Sequence, residues 1–106
     1  EPHQAASDMK VVDGVLKTTL RGDLLDDPAP VLAPLAEPLA KARGIEFNCR
    51  FLLRVDFSAA GMLLNWASER KNEKKPVTFS NLNRMVAVFF GVMGLNEVAR
   101  VLPRKD

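Results

Sequence analysis

The chain has little of the chemistry on which most enzyme sites depend. It contains one cysteine and one histidine among 106 residues. Cys49 has no second cysteine for an internal disulfide, and the apolar run 47–51 around it indicates a buried structural thiol. His3 gives no support to a Ser/His triad or a histidine metal cluster, and no phosphate-binding loop of the Walker type occurs. We therefore expect no catalytic site, no metal and no cofactor.

The sequence also lacks a long apolar run, a secretory pattern and a charge field of one sign. The longest apolar run, residues 85–95, is shorter than the roughly 18 residues that suggest a membrane span. The net charge is +2, and basic and acidic residues are interspersed over residues 69–75, which argues against a nucleic-acid partner. The lone cysteine suits a reducing compartment, so we expect a cytoplasmic location.

The length of 106 residues suffices for one hydrophobic core. Residues 1–8 show no hydrophobic periodicity, and the chain opens at Glu1 instead of methionine. We therefore predict a disordered leader over residues 1–8 and a single domain over residues 9–106, within a longer protein.

The first half of the domain combines a hairpin with a proline-interrupted helix. Asp13 and Gly14 separate two β-type runs, which predicts a hairpin with a type I′ turn, and a turn at residues 21–23 ends its second strand. Residues 27–42 have helical spacing and Gly44 as a plausible terminator. Because prolines intrude, we expect either an irregular first half or a helix that begins near residue 34. The intruding residues are Pro30, Pro34 and Pro38.

The second half alternates strand and helix patterns, which is typical of βαβ units with parallel strands. We predict a strand over residues 45–57, a helix over 59–70, a short strand over 76–80 and a helix over 82–93 that Asn81 or Asn83 caps.

The helix predicted over residues 82–93 is apolar almost all round. On a helical wheel the core-facing side holds Leu82, Met85, Val86, Phe89 and Met93. The opposite side holds Arg84, Ala87 and Gly91, flanked by Val88 and Phe90. Such a helix is usually covered on more than one side. The second cover is the tail 95–102, another domain or a partner chain.

Residues 55–64 read Val-Asp-Phe-Ser-Ala-Ala-Gly-Met-Leu-Leu and predict a strand, a sharp loop and a helix start within ten residues. Unpaired backbone N–H groups and a positive helix dipole make such a junction a place for anions or partner groups. We interpret Asp56 as a structural aspartate. For Ser58 two interpretations stand side by side: an N-cap of the helix, or a phosphoacceptor.

The order of these features resembles STAS domains, the anti-sigma-factor-antagonist fold, from near Met9 to the end of the chain. The resemblance rests on the hairpin, Gly22-Asp23, the helix, the junction, the short strand and the Phe-Gly-Val-Met-Gly-Leu ending at residues 90–95. It implies an α/β fold with a small mixed β-sheet of four to five strands, an N-terminal hairpin and helices packed mainly on one face.

The junction of that family usually reads Asp-Ser-Ser-Gly or Asp-Thr-Ala-Gly, with a phosphorylated Ser or Thr just before, or close before, the glycine. Anchoring on Gly61 places Ala60 at the phosphoacceptor and Ala59 at the preceding hydroxyl position, so the usual switch is missing. If the register is shifted, Asp56 takes the place of the acidic residue of the motif, and Ser58 is a displaced phosphoacceptor.

The resemblance implies a non-catalytic protein-interaction module. Its surface combines the junction (Asp56, Ser58, Ala59, Ala60 and Gly61) with the outer side of the last helix (Arg84, Ala87, Val88, Phe90 and Gly91). The partner is an anti-sigma-factor or kinase-like protein, another domain of the parent chain, or a second copy in a homodimer. The alternative is a small-ligand sensor for nucleotides, lipids or anions, or a transport accessory domain, in which Arg50, Arg54 and the helix start at Ala59 hold an anion.

Overall fold

The computed structural model describes residues 8–105, which form one sheet with helices between its strands. The strands are β1 (Lys10–Val12), β2 (Val15–Leu24), β3 (Gly44–Val55), β4 (Val77–Leu82) and β5 (Arg100–Pro103). The helices are α1 (Ala29–Leu32), α2 (Ala36–Ala40), α3 (Phe57–Asn72) and α4 (Arg84–Val92). Short 3-10 turns occupy Ala33–Leu35 and Leu95–Glu97.

The sheet follows the order of the chain, β1-β2-β3-β4-β5. The first pair is antiparallel and the other three pairs are parallel. Each parallel strand lies next to the one before it, so successive crossovers move across the sheet in the same direction. Because such crossovers are right-handed, they place their helices on the same face of the sheet. The predicted mixed α/β sheet with helices mainly on one face is confirmed.

The hairpin forms as predicted because its turn is encoded locally. Asp13 and Gly14 have φ angles of 54° and 82°, the two positive values that a type I′ turn needs. The predicted end of the second strand at residues 21–23 is wrong, because β2 continues to Leu24, which pairs with Val55 of β3.

The proline-rich segment breaks into α1, a 3-10 turn and α2, as the interrupting prolines predicted. Gly44 does not terminate this helix; it is the first residue of β3. A Cβ atom at that position would lie 2.9 Å from the backbone oxygen of Pro76, so the close approach of β3 to the start of β4 favours glycine.

The core lies between the sheet and the helices. A chain of ring contacts crosses it: Phe47 lies 5.8 Å from Trp66 and 5.1 Å from Phe79, and Phe79 lies 5.3 Å from Phe90 between ring centroids. These rings tie α3, β3, β4 and α4 together. Cys49 is fully buried in the same core, as predicted, and burial raises the pKa of its thiol far above the usual range.

The predicted core side of α4 is partly wrong. Val86 and Phe90 are buried, whereas Met85 is 75% exposed. The helix begins at Arg84 after the cap residue Asn83, and its buried stripe runs from Val86 to Phe90, one helical turn apart. Phe90 therefore belongs to the core and not to an interaction surface.

The tail covers only part of α4. Leu95 is buried, and β5 adds a fifth strand beside β4. Val88 and Val92 stay exposed, at 61% and 78%. The predicted leader lies almost entirely outside the described residues. Its last residue, Asp8, accepts hydrogen bonds from the backbone N–H and the hydroxyl of Thr19.

Candidate functional site

The junction after β3 is organised by Asp56. This residue is the N-cap of α3, and its Oδ1 atom accepts a hydrogen bond of 2.8 Å from the backbone N–H of Ala59. Its carboxylate also accepts from the backbone N–H of Asp26 at 3.1 and 3.0 Å. Asp56 therefore joins the loop after β2 to the start of α3, which is the structural role predicted for it.

The capping role predicted for Ser58 is wrong. Since β3 ends at Val55 and Asp56 caps the helix, Ser58 lies inside the first turn of α3 with an exposed side chain. Among residues 8–105, no hydrogen bond to the Ser58 hydroxyl is present. The hydroxyl group is therefore accessible from solvent.

Ala59 and Ala60 do not belong to the surface of the junction, contrary to the prediction. Both side chains are fully buried because they lie on the face of α3 that packs against the sheet, together with Leu63 and Ala67. Gly61 is partly exposed, and the space around its Cα is open.

The anion site predicted at the start of α3 is not supported by the geometry. The N–H group of Ala59 is already bonded to the Asp56 carboxylate, whose negative charge also disfavours a second anion there. Arg54 forms an ion pair of 2.8 Å with Asp23, which lowers the pKa of Asp23 and raises that of Arg54. Arg50 lies elsewhere, on the sheet face that the helices leave open.

A second junction, after β4, lies beside the first. Asn83 caps α4 by accepting a hydrogen bond of 2.8 Å from the backbone N–H of Val86. Asn83 is one of the two cap residues that the sequence predicted. Its amide also donates to the backbone oxygens of Leu52 and Leu53, both at 3.3 Å. This amide fixes the start of α4 against the end of β3.

These hydrogen bonds bring several exposed apolar side chains to one edge of the sheet. We call this surface the apolar edge; it comprises Leu25, Leu53, Phe57, Met85 and Val88. Phe57 is 73% exposed and Met85 75% exposed. Arg84 and Gly91 are also exposed, and Ala87 is half-buried. Of the residues predicted for the outer side of α4, only Phe90 is buried in the core. Phe57 and Met85 were missed as surface residues, since apolar side chains are expected in the core.

No group of three or more His, Cys, Asp or Glu side chains suited to a metal ion is found within residues 8–105. The helices of the same range include none with the length and apolar character that a membrane crossing requires.

A family model described as "Mlab, STAS domain" matches residues 7–103. The match covers nearly the whole chain, and the chain therefore belongs to the STAS domain family. A search of curated proteins found no match. Domains of this family are often regulatory or involved in protein interactions.

Proposed function

We propose that this domain is a non-catalytic protein-interaction module that docks a partner through the apolar edge. The observation that carries the proposal is the exposure of five large apolar side chains at one edge of a small domain. Large apolar side chains that are exposed together at one edge are typical of interaction sites on soluble proteins. The proposed partner is an anti-sigma-factor or kinase-like protein, or another domain of the parent chain, in the cytoplasm.

The edge is supported by rigid neighbours. Asp56 holds the loop that carries Leu25, and Asn83 holds the strand end that carries Leu53. The apolar side chains are therefore presented on fixed backbone, which reduces the entropy that binding must overcome. Arg84 stands beside Met85 on the exposed side and suits a partner with a carboxylate at the rim of an apolar groove.

Ser58 supports a second element of the proposal, regulation by phosphorylation. Anchoring the family motif on Asp56 gives Asp56-Phe57-Ser58-Ala59, with Ser58 in the last hydroxyl position and Ala59 in place of the glycine. A kinase needs an exposed hydroxyl, which Ser58 has and the buried position 60 does not offer. A phosphoryl group on Ser58 would add about two negative charges next to Phe57 and oppose apolar docking there.

The docking surface is tested by partner capture with crosslinking and quantitative mass spectrometry. We expect Phe57→Asp and Met85→Asp each to reduce recovery of the partners captured by the wild type at least tenfold. Val11→Asp is the matched control. Val11 is also exposed and apolar, but it lies on β1, an outermost strand of the sheet, and does not belong to the apolar edge. Circular dichroism checks that every variant folds.

Unchanged recovery with both Asp variants would refute the apolar edge as the docking surface. Ser58→Glu tests the regulatory element: it should reduce recovery, whereas Ser58→Ala should not. Sedimentation over a range of concentrations identifies the case in which the occupant is a second copy of this chain.

A further inference from the structure

The open face of the sheet carries a groove that shares no lining residue with the apolar edge. Its volume is about 670 Å³, and its lining includes Arg50, Phe51, Asn81, Arg104 and Lys105. The groove runs across the exposed side of β3 and β4 and is bounded by β5 and the residues after it. It therefore lies on the face opposite the helices.

A β-bulge in β3 forms one wall of the groove. Between two paired positions, β2 advances from Thr19 to Arg21 while β3 advances from Asn48 to Phe51, so β3 contains one extra residue. As a result Arg50 and Phe51 are both exposed although they are consecutive in a strand. The Arg50 guanidinium lies 5.2 Å from the centre of the Phe51 ring.

A second bulge, in β4, forms the opposite wall. The β4–β5 register passes from Phe79 paired with Val101 to Leu82 paired with Pro103, which again inserts one residue. Asn81 lies in this bulge with a φ angle of 57°, a left-handed conformation, and its amide donates to Asn48 Oδ1 at 3.0 Å. Bulges of this kind re-aim side chains and are common beside functional sites.

The groove is strongly basic. Arg50, Arg104 and Lys105 line it, and within residues 8–105 no carboxylate forms an ion pair with any of the three. Glu46, an acidic residue of the same face, is engaged by Lys17 at 3.3 Å and by the Ser80 hydroxyl at 2.8 Å. Arg104 is oriented by a hydrogen bond of 3.1 Å from its Nη2 atom to the backbone oxygen of Arg50.

We propose that this groove binds a small organic molecule that bears phosphate groups. Three cations within one groove call for a ligand with several negative charges in a small volume. A phosphate group supplies about two charges and three acceptor oxygens, which match the forked donors of arginine. Leu102 and the part of Phe51 that the guanidinium groups of Arg21 and Arg50 leave uncovered offer apolar surface for the organic part. The volume lies within the range of small-molecule sites.

The test is a titration of the folded chain with two probes, inorganic pyrophosphate and ADP, followed by calorimetry and by amide chemical shifts. We expect saturable binding of one molecule per chain, with shifts centred on Phe51 and Asn81. Arg50→Gln and Arg104→Gln should each weaken binding at least tenfold. Lys41→Gln is the charge-matched control, because Lys41 is exposed and lies outside the groove, and it should leave the affinity unchanged.

Three results would overturn the proposal. The first is no binding of either probe at millimolar concentration, and the second is an equal loss of affinity in Lys41→Gln and Arg50→Gln, which indicates nonspecific charge attraction. The third is binding to vesicles of phosphatidylserine and phosphatidylcholine without binding of the soluble probes, which assigns the basic face to a lipid surface. The partner capture through the apolar edge is measured separately, so either proposal can fail alone.

Discussion

Asp56 and Ser58 are two residues apart and have opposite relations to the fold. The carboxylate of Asp56 accepts hydrogen bonds from backbone N–H groups of α3 and of the loop after β2, whereas the hydroxyl of Ser58 faces solvent. Aspartate and serine are about equally good N-caps, so the residue type does not decide between them. The end of β3 at Val55 decides, because it places Asp56 at the cap position.

Removal of the cap should destabilise the domain measurably. We expect Asp56→Ala to lower the free energy of unfolding by about 1–2 kcal/mol, since the N–H groups of Ala59 and Asp26 lose their acceptor. Asp56→Asn retains an acceptor oxygen and should cost less. Urea denaturation measures both, and an Asp56→Ala variant as stable as the wild type would contradict the capping role.

At the scale of the element, α4 presents one apolar stripe to the core and another to solvent. Val86 and Phe90 face the sheet, and Phe90 contacts Phe79 edge to face. Met85 and Val88 face outward at the start of the helix. The same helix therefore contributes to the core and to the proposed docking surface, and the two roles are separable by substitution.

This division predicts a large difference between two apolar truncations in one helix. Phe90→Ala should lower the free energy of unfolding by about 3–5 kcal/mol, because it empties a fully buried ring site. Met85→Ala should change it by less than about 0.5 kcal/mol, as surface substitutions do. Thermal or urea unfolding compares them. Similar losses in the two variants would contradict the orientation of α4.

The elements that sequence reasoning predicted best are those encoded by nearby residues. The Asp13-Gly14 turn and the proline breaks after residue 28 depend only on local backbone preferences. Met85 and Phe90 were assigned to the wrong sides of α4 because a helix that is apolar all round gives no contrast between its sides on a helical wheel. The bulges at Arg50 and Asn81 could not be predicted, since each depends on the register between strands distant in sequence.

The candidate site was predicted in the same uneven way. The junction after β3 and the outer side of α4, with Val88, were named from the sequence. The other four residues of the apolar edge were not: Leu25, Leu53, Phe57 and Met85. Phe57 and Met85 carry no sequence signal that separates them from core residues. Their exposure follows from where β3 and β4 end and where Asp56 and Asn83 start the helices.

At the scale of the whole molecule, the two faces of the sheet have different chemistry. Every crossover after the hairpin carries its helix to one face, so that face buries the apolar residues. The other face holds polar groups, namely the Lys17–Glu46 ion pair and the basic groove. Near the margin of this face, Asp8 accepts a hydrogen bond from the backbone N–H of Thr19. The open face therefore carries both the proposed ligand groove and charged side chains whose contacts contribute to the stability of the fold.

The Asp8 contact predicts a specific pH dependence of stability. Hydrogen bonds from Thr19, with a contribution from the charge of Arg21, hold the pKa of Asp8 below its usual range. A carboxylate with a lowered pKa in the folded state stabilises the fold above the unfolded pKa of about 4, and this contribution is lost as the pH falls through the folded value. Wild type should therefore be more stable than Asp8→Asn at pH 7, by less than about 1 kcal/mol because the group is exposed.

Urea unfolding of both proteins at pH 7, 5 and 3 tests this. The difference should persist at pH 5 and shrink at pH 3, and a difference that stays constant or grows on acidification would show that the Asp8 charge is not what stabilises this contact.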